Sequence, residues 1–545
     1  MLFNSHEFIF GFLPVTLLVF FLAGARSQRL ALVWLTLASL FFYAWWRPIN
    51  VLIIGPSLIV NYVIARSLLP LRANGKPPGR ARWLLAAGII FNIAFLGYFK
   101  YINFATHALN DLAGTHFVLE QVILPLGISF ITFQKIAFLV DVHSQRVKSF
   151  TLSEYCLFVL FFPQLIAGPI VHYREMMPQF QTAPCRLDRM DMAVGLTLFV
   201  IGLFKKVVLA DGIATYVTPV YAAAAAGDAI SMVPAWIAAV GFTLQMYFDF
   251  SGYSDMALGL GRMVGVRLPT NFDSPLKATS IIDFWLRWHI TLTRFLTAYL
   301  YNPLALWLTR RRLSRGLPVL SGRNQSASAF LTLLAVPTLL TMLISGVWHG
   351  AGYLFILWGL MHGMYLVINH AWRLIGPALF ASRNAYDRFM QPAGFILTFL
   401  AVVAAMVVFR APSADAALAV FNGMAGLNGL SLPQHLADRL GPLFVTFSSV
   451  ISISMHDLDH TVVVLPAFAW TGALMMVALL LPNSLQLMAR FEPAIDYKAR
   501  KSTPRVFETD TLWQPSLFWA CSVSLLAIAV TLRLGSKSEF LYWQF

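Results

Sequence analysis

The sequence is poor in charge and in cysteine, and each shortage excludes a class of protein. Only 12% of its 545 residues are charged, whereas 58% are hydrophobic. A soluble protein carries about 25% charged residues, so the composition excludes a set of soluble domains and predicts an all-α polytopic membrane protein. The three cysteines, Cys156, Cys185 and Cys521, lie far apart and without a CxxC spacing. Neither a disulfide framework nor a zinc site is indicated.

Motifs of several enzyme classes are also missing. The sequence has no GxSxG elbow, no P-loop and no GxGxxG motif after a strand, so a serine-hydrolase nucleophile and a nucleotide site have no support. The first 29 residues lack the basic region and the small-residue cleavage site of a signal peptide, which favours a retained first helix.

The basic residues lie mainly in short loops between apolar runs. Lysine and arginine number 39 against 24 aspartate and glutamate residues, a formal net charge of +15. Basic residues follow the first and third apolar runs, whereas the loop at 101–116 has none. By the positive-inside rule the N-terminus is periplasmic. This pattern predicts contact with membrane lipids and no nucleic-acid partner.

Long apolar runs cover most of the chain. They lie at 8–24, 30–46, 51–69, 83–99, 118–143 (broken at Pro125 and Gly127), 153–171, 190–210, 231–262, 341–369, 393–409, 463–482 and 513–534. With the mixed stretch 281–300 they predict about 11 to 14 transmembrane and re-entrant segments. We expect a membrane core over 1–410, an extramembrane loop with short helices over 411–461, and C-terminal membrane helices over 462–545.

The stretch 341–369 is the first candidate site. It is apolar enough to span a bilayer, but its first half contains Gly346, Gly350 and Gly352 around His349, which favours a broken backbone. An ionisable residue at membrane depth is costly and is a functional hypothesis; the alternative is a neutral histidine bonded to a backbone carbonyl. His362, interpreted as lying at the far end of the following helix, is expected to be structural.

The stretch 281–300 is the second candidate. It is predicted to form one helix that carries Asp283, Arg287 and His289. Asp283 and His289 are six residues apart and share no helix face, so a direct pair within this helix is not expected. His289 could meet His349 from a neighbouring helix. The alternative is an interfacial histidine bonded to a carbonyl or headgroup.

Two weaker signals are carboxylate-rich. Asp249 and Asp255 lie in an apolar run and need partners, for which Arg287 or the lysines at 205–206 are candidates. An ion pair is favoured there over acid–base catalysis, and the nearby glycines favour close helix packing. The HDLDH motif at 456–460 could signal a metal site or a metal-dependent glycosyltransferase, but a solvated patch is favoured.

Several motifs together resemble the membrane-bound O-acyltransferase family. They are FPQLIAGPI (162–170), YFDFSGYSDMALGLG (247–261), DFWLRWHITLTRFLTAYLY (283–301) and SGVWHGAGYLFILWGLMHG (345–363). The resemblance is strongest to the bacterial branch that contains the alginate O-acetylation membrane subunit and the D-alanyl transfer protein of teichoic-acid modification. It covers residues 1 to about 375 and weakens beyond about 410.

The resemblance implies a fold, a reaction and two catalytic residues. The fold is a ring of helices around a central funnel and tunnel, in the bacterial inner membrane. His349 matches the family's general base and His289 its second active-site histidine. Residues expected to support them are Trp348, Asp255, Asn271, Arg287 and Trp288. No tightly bound cofactor and no metal are implied; acetyl-CoA or another acyl thioester is the donor substrate.

The implied reaction is O-acyl transfer, with acetyl favoured, to hydroxyls of an exported polysaccharide. Transfer is direct or passes through a periplasmic SGNH-type partner or a glycan export complex. Alginate, cellulose, peptidoglycan and other envelope polymers remain open as acceptors. The alternatives are a transporter of a lipid-linked sugar or small anion, with intramembrane histidine and aspartate as a proton relay, and a non-catalytic scaffold for exopolysaccharide export.

Overall fold

The fold is helical throughout the part of the chain that is described. The computed structural model describes residues 1–72, 79–120, 122–182, 185–320, 326–430, 464–495, 497, 512–535 and 541. Within these ranges the only other regular pairing is one bridge between Pro269 and Ile495. The predicted all-α class is confirmed. The HDLDH motif at 456–460 and most of the predicted loop over 411–461 lie outside the described residues.

Most apolar runs coincide with helices, but further helices lie outside them, among them Ile102–Ala113 in the stretch 101–116 that was expected to be a loop. The first ten are α1 Leu13–Arg26, α2 Gln28–Ala44, α3 Ile49–Arg72, α4 Gly79–Leu96, α5 Ile102–Ala113, α6 Ile128–His143, α7 Leu152–Leu160, α8 Phe162–Leu165, α9 Tyr173–Thr182 and α10 Arg189–Phe204. The next are α11 Asp211–Ala226, α12 Met232–Met263, α13 Ile281–Trp285, α14 Ile290–Leu296, α15 Asn302–Leu313, α16 Ala327–Phe330, α17 Val336–His349, α18 Tyr353–Ile375, α19 Arg383–Arg410 and α20 Ala414–Met424. The last are α21 Val464–Leu480, α22 Ser484–Leu487 and α23 Leu517–Thr531.

Seven helical segments among the described residues are long and apolar enough to cross a membrane. They are Glu7–Arg26, Ile49–Leu71, Gly79–Ala113, Arg189–Ala226, Ala327–His349, Tyr353–Leu379 and Arg383–Arg410. Three shorter apolar helices are Gln28–Ala44, Leu465–Leu480 and Leu517–Thr531. The chain is a multi-pass membrane protein. The predicted ring and funnel stay a prediction.

The described chain packs into two compact units, each assembled from separated stretches. The first comprises Met1–Val207, Phe250–Asn271 and Ser484–Gln544 over their described residues; the second comprises Val208–Asp249 and Phe272–Asn483. The domains predicted from the sequence were consecutive stretches with boundaries at residues 410 and 461. That division stays a prediction.

In the first unit, helices α10 and α12 approach each other through glycines. A β-carbon at Gly252 would lie 2.7 Å from the Gly202 carbonyl oxygen, and one at Gly259 would lie 2.4 Å from the Gly195 carbonyl oxygen. A side chain at either position would force the helices apart. The predicted packing role of these glycines is confirmed.

The buried carboxylate of Asp255 has the partner that the sequence suggested. Lys205 Nζ lies 2.6 Å from Asp255 Oδ2, and Ser484 Oγ donates to the same oxygen at 2.7 Å. The predicted ion pair with the lysines at 205–206 is therefore confirmed, with Lys205 as the cation. Both charges are largely buried, so loss of one would leave the other uncompensated.

In the second unit, the stretch 281–300 differs from the prediction. It does not form one helix: α13 ends at Trp285 and α14 begins at Ile290. The carbonyl of Arg287 accepts a hydrogen bond from the Asp273 amide at 3.0 Å, so it is engaged outside the helix. His289 then adopts the left-handed conformation, with φ +44°. The prediction of a continuous helix through Asp283, Arg287 and His289 was wrong for this reason.

Helices α17 and α18 form a closely packed hairpin in the second unit. A β-carbon at Gly346 would lie 2.2 Å from the Phe355 carbonyl oxygen, and one at Gly359 would lie 2.4 Å from the Met342 carbonyl oxygen. Such contact between helix backbones requires glycine at both positions. The hairpin fixes the end of α17 against α18.

We expect Gly359→Ala to destabilise the protein by about 1 to 3 kcal/mol, because the new methyl group overlaps the α17 backbone. The matched control is Gly472→Ala in α21, where a β-carbon has no neighbour within 4 Å. That substitution should be neutral or slightly stabilising. The thermal unfolding midpoint of each variant in detergent is the measurement. Equal midpoints for the two variants would contradict close packing at Gly359.

Candidate active site

His349 is the last residue of α17, at the tip of the hairpin. The chain then passes through Gly350 and Gly352, both extended, and α18 begins at Tyr353. A β-carbon at Gly350 would lie 2.1 Å from a carbon of the Phe355 ring, so glycine is required where the backbone crosses that ring. The predicted break near His349 is confirmed, although Gly346 lies inside α17 and serves packing.

Aromatic rings surround the His349 imidazole. Its ring centroid lies 4.9 Å from that of Trp348, 4.9 Å from Trp358 and 5.5 Å from Phe409, each in an edge-to-face arrangement. His349 is 6% exposed. An imidazole in such a setting has few water molecules around it, which strengthens any hydrogen bond or charge interaction it makes.

His289 lies in the turn between α13 and α14. It caps α14 with its left-handed backbone and is only 1% exposed. Its ring lies 6.4 Å from Phe272 and 6.4 Å from Trp348 between centroids. A left-handed backbone is uncommon for histidine, and strained residues of this kind cluster at functional sites.

Trp348 connects the two candidate histidines. Its ring contacts His349 at 4.9 Å and His289 at 6.4 Å between centroids. The structure thus brings together three predicted residues from the end of α17 and the turn before α14. No motif spacing in the sequence joins positions 289 and 349.

His362 is closer to the site than the sequence analysis expected. It lies in the middle of α18, not at its far end, and its side chain is fully buried. Its ring is 4.7 Å from Trp358, which in turn contacts His349. Trp285 Nε1 donates to His362 Nδ1 at 3.3 Å, which places the proton of a neutral His362 on Nε2. His362 therefore supports the ring cluster around His349.

Several buried polar atoms near His349 make no hydrogen bond within the described chain. Ser345 Oγ and Thr341 Oγ1 lie one and two helical turns before His349, and Trp358 Nε1 and His362 Nε2 lie on the facing helix α18. Buried polar groups usually have partners, and orphaned ones often mark a site that binds a ligand or water. These atoms could bond a substrate hydroxyl or carbonyl.

The other predicted supporting residues belong to different units. Arg287 and Trp288 belong to the second unit; Trp288 packs against Phe272 with 5.1 Å between ring centroids. Asp255 and Asn271 belong to the first unit. There Asp255 pairs with Lys205, and Asn271 Nδ2 donates to a serine hydroxyl at 3.2 Å. Both bonds lie within the first unit, and the supporting role of these two residues stays a prediction.

The described residues offer no metal centre. No three histidine, cysteine, aspartate or glutamate side chains in the described ranges are grouped closely enough to hold a metal ion. Within the second unit the chemistry available at the site is that of imidazole, which can accept a proton from a hydroxyl near neutral pH.

Sequence reasoning missed Trp285, Trp358 and Phe409. Trp358 and His362 are four residues apart and so share a face of α18, a signal that was available. Phe409 is the penultimate residue of α19, 60 residues after His349, and no local pattern connects the two positions. Only tertiary packing reveals that contact.

Comparison with known proteins identifies relatives of this chain. The sequence profile of the membrane-bound O-acyltransferase family matches residues 143–320, a range that includes His289 and ends before His349. The peptidoglycan O-acetyltransferase of Helicobacter pylori is 38% identical, over 89% of this chain and 90% of that protein.

Two further relatives extend the comparison. The probable alginate O-acetylase AlgI of Pseudomonas aeruginosa is 34% identical over 100% of both chains. The teichoic acid D-alanyltransferase of Streptococcus thermophilus is 27% identical over 52% of this chain and 68% of that protein. The similarity therefore continues beyond the residues at which the sequence analysis expected it to weaken.

We expect His289 to make the protein sensitive to acid. Burial lowers the pKa of His289, which lies outside the seven candidate spans, to about 3. The unfolded chain binds a proton near pH 6.5 and the folded chain does not, so folding stability falls as pH drops from about 6.5 towards 3, by at most about 1.4 kcal/mol per pH unit.

The measurement is the free energy of unfolding in detergent between pH 7 and pH 4.5, for the wild type and for His289→Gln. The variant should lose less stability than the wild type over this range. Parallel curves would show that His289 is protonated equally in the folded and unfolded states.

Proposed function

Because this chain belongs to the membrane-bound O-acyltransferase family, we propose that it transfers an acetyl group from a cytoplasmic thioester to hydroxyls of an exported polysaccharide. His349 is the general base and His289 the residue that binds the donor carbonyl. The observation that carries the proposal is the Trp348 ring, which contacts both imidazoles in a buried, aromatic-lined setting.

The proposed reaction begins with proton transfer to His349. As the acceptor hydroxyl loses its proton to the imidazole, its oxygen attacks the carbonyl carbon of the thioester. The N–H of neutral His289 donates to the developing oxyanion, an interaction that is strong where water is scarce. The tetrahedral intermediate then collapses: the carbon–sulfur bond breaks, the acetyl ester forms, and protonated His349 returns its proton to the thiolate.

The proposed acceptor and acyl group are supported by the names of the relatives. Those of Helicobacter pylori and Pseudomonas aeruginosa are named for O-acetylation of peptidoglycan and alginate, which supports acetyl as the acyl group and a polysaccharide as the acceptor. The donor is acetyl-CoA or another acyl thioester. The acetyl group passes to the polysaccharide directly or through a periplasmic SGNH-type protein with its own serine nucleophile.

The proposed setting is the inner membrane with the N-terminus in the periplasm. Donor and acceptor reach His349 from opposite faces through a central tunnel. The unpartnered atoms of Thr341, Ser345 and Trp358 support substrate binding along the facing sides of α17 and α18. Close packing of rings around His349 suits a small acyl group such as acetyl.

A transporter would use the same buried histidines without making or breaking an ester. Purified protein in liposomes, given acetyl-CoA labelled in the acetyl group and the host's exported polysaccharide with its periplasmic fraction, separates the two functions. We expect label in ester linkage to the polysaccharide or to a periplasmic protein. Movement of a sugar or anion with no label transferred would identify a transporter.

We expect His349→Ala to reduce O-acetylation of the exported polysaccharide by about 10²- to 10⁴-fold, the usual contribution of a general base. The measurement is ester-linked acetate per unit of polysaccharide, normalised to the level of the protein in the membrane. The matched control is His370→Ala, a half-buried histidine on α18 away from the ring cluster. Normal acetylation in the His349 variant would remove it from the mechanism.

A further inference from the structure

The segment 273–277, which precedes the turn that carries His289, is hydrogen-bonded to the chain just after α21. Asn483 Nδ2 donates to Asp273 Oδ1 at 3.1 Å and to Ser274 Oγ at 2.9 Å. Lys277 Nζ donates to the Leu481 carbonyl oxygen at 2.7 Å. Residues 481–483 thus make three hydrogen bonds to the segment 273–277, although more than 200 residues separate the two.

Asp273 is also hydrogen-bonded to Arg287, two positions before His289. Its amide donates to the Arg287 carbonyl oxygen at 3.0 Å, and Arg287 Nη1 donates back to the Asp273 carbonyl oxygen at 3.4 Å. Arg287 Nε also bonds Asp283 Oδ2 at 2.9 Å. Backbone and side-chain hydrogen bonds therefore join the two ends of the segment 273–287.

Two residues at the ends of this closed segment have uncommon backbone conformations. Ser274 has φ +49° and His289 has φ +44°, both in the left-handed region that favours glycine. Such conformations persist only where the surrounding structure determines them. Asn483 bonds one of these two residues directly and reaches the other through Asp273 and Arg287.

The charges around Asn483 explain why an amide suits this position. The segment contains Asp273 and Asp283 with Lys277 and Arg287. Burial lowers the pKa of Lys277, and Arg287 lowers it further while Asp273 raises it, so these groups interact electrostatically. A neutral donor at 483 bonds Asp273 without disturbing this balance, whereas a carboxylate there would face the carboxylate of Asp273.

We propose that Asn483 is a positioning residue for His289: through Asp273 and Arg287 it holds the turn in which His289 faces Trp348. The inference rests on the proposed function, in which His289 binds the donor carbonyl. It gives a positioning role to a residue beyond 410, outside the motifs that carry the family resemblance.

The test is an exchange of the amide and the carboxylate. Asn483→Asp should lower kcat for acetyl transfer from acetyl-CoA by about 10 to 100-fold, since small displacements of a catalytic group cost that much. In the background of Asp273→Asn the same substitution should cost less than about threefold, because the new amide at 273 can donate to the new carboxylate at 483. The KM for acetyl-CoA should change less than kcat.

The matched control is Asn428→Ala. Asn428 also donates to the second unit's backbone, at 2.9 Å to the Ile230 carbonyl oxygen, but lies outside the segment 272–289. It should leave kcat unchanged. Equal losses of kcat for Asn483→Asp with and without Asp273→Asn would overturn the proposal, as would a fall in kcat matched by loss of folded protein.

A background that lacks the His289 imidazole separates this inference from the proposed function. If His289→Ala retains wild-type turnover, the proposed role of His289 is wrong and the positioning role falls with it. If His289→Ala is impaired, Asn483→Ala added to it should cause no further loss of kcat. A full additional loss would show that Asn483 acts elsewhere, while the role of His289 would stand.

Discussion

The hydrogen bond from the Asp273 amide to the Arg287 carbonyl is the interaction on which the site geometry depends. A helix through residues 281–300 would use that carbonyl for its own next turn. Because Asp273 takes it instead, the chain breaks after Trp285, His289 enters a left-handed conformation, and a new helix begins at Ile290. The position of the imidazole against Trp348 follows from this one diverted carbonyl.

The second histidine is held by the opposite means. His349 ends a regular helix, and close glycine contacts with α18 fix where that helix ends. His289 therefore lies in a turn with an uncommon backbone conformation, and His349 lies at the tip of a tightly packed hairpin. In a chain this apolar, backbone groups must find hydrogen-bond partners within the protein, and the diverted Arg287 carbonyl is one that does so outside its own helix.

The sequence predicted what local periodicity and composition determine. Apolar runs located most of the long helices, the glycines near His349 indicated a break, and the carboxylate of Asp255 indicated a lysine partner. Prediction failed where a distant bond overrode the local pattern, as Asp273 does at Arg287. The contact of Phe409 with His349 could not be predicted for the same reason. It depends on how two helices pack, and the sequence of neither helix identifies the other as its neighbour.

The attachment of Asn483 to the segment 273–274 bears on how this protein can be divided or recombined. A shortened chain that ends near residue 410 would keep both histidines and the motifs that carry the family resemblance, yet would lack the amide that bonds Asp273. In a chimera with a relative, residues 272–289 and 481–483 would have to come from the same parent protein. The residues that hold the segment before His289 thus extend beyond the stretch that the family motifs mark out.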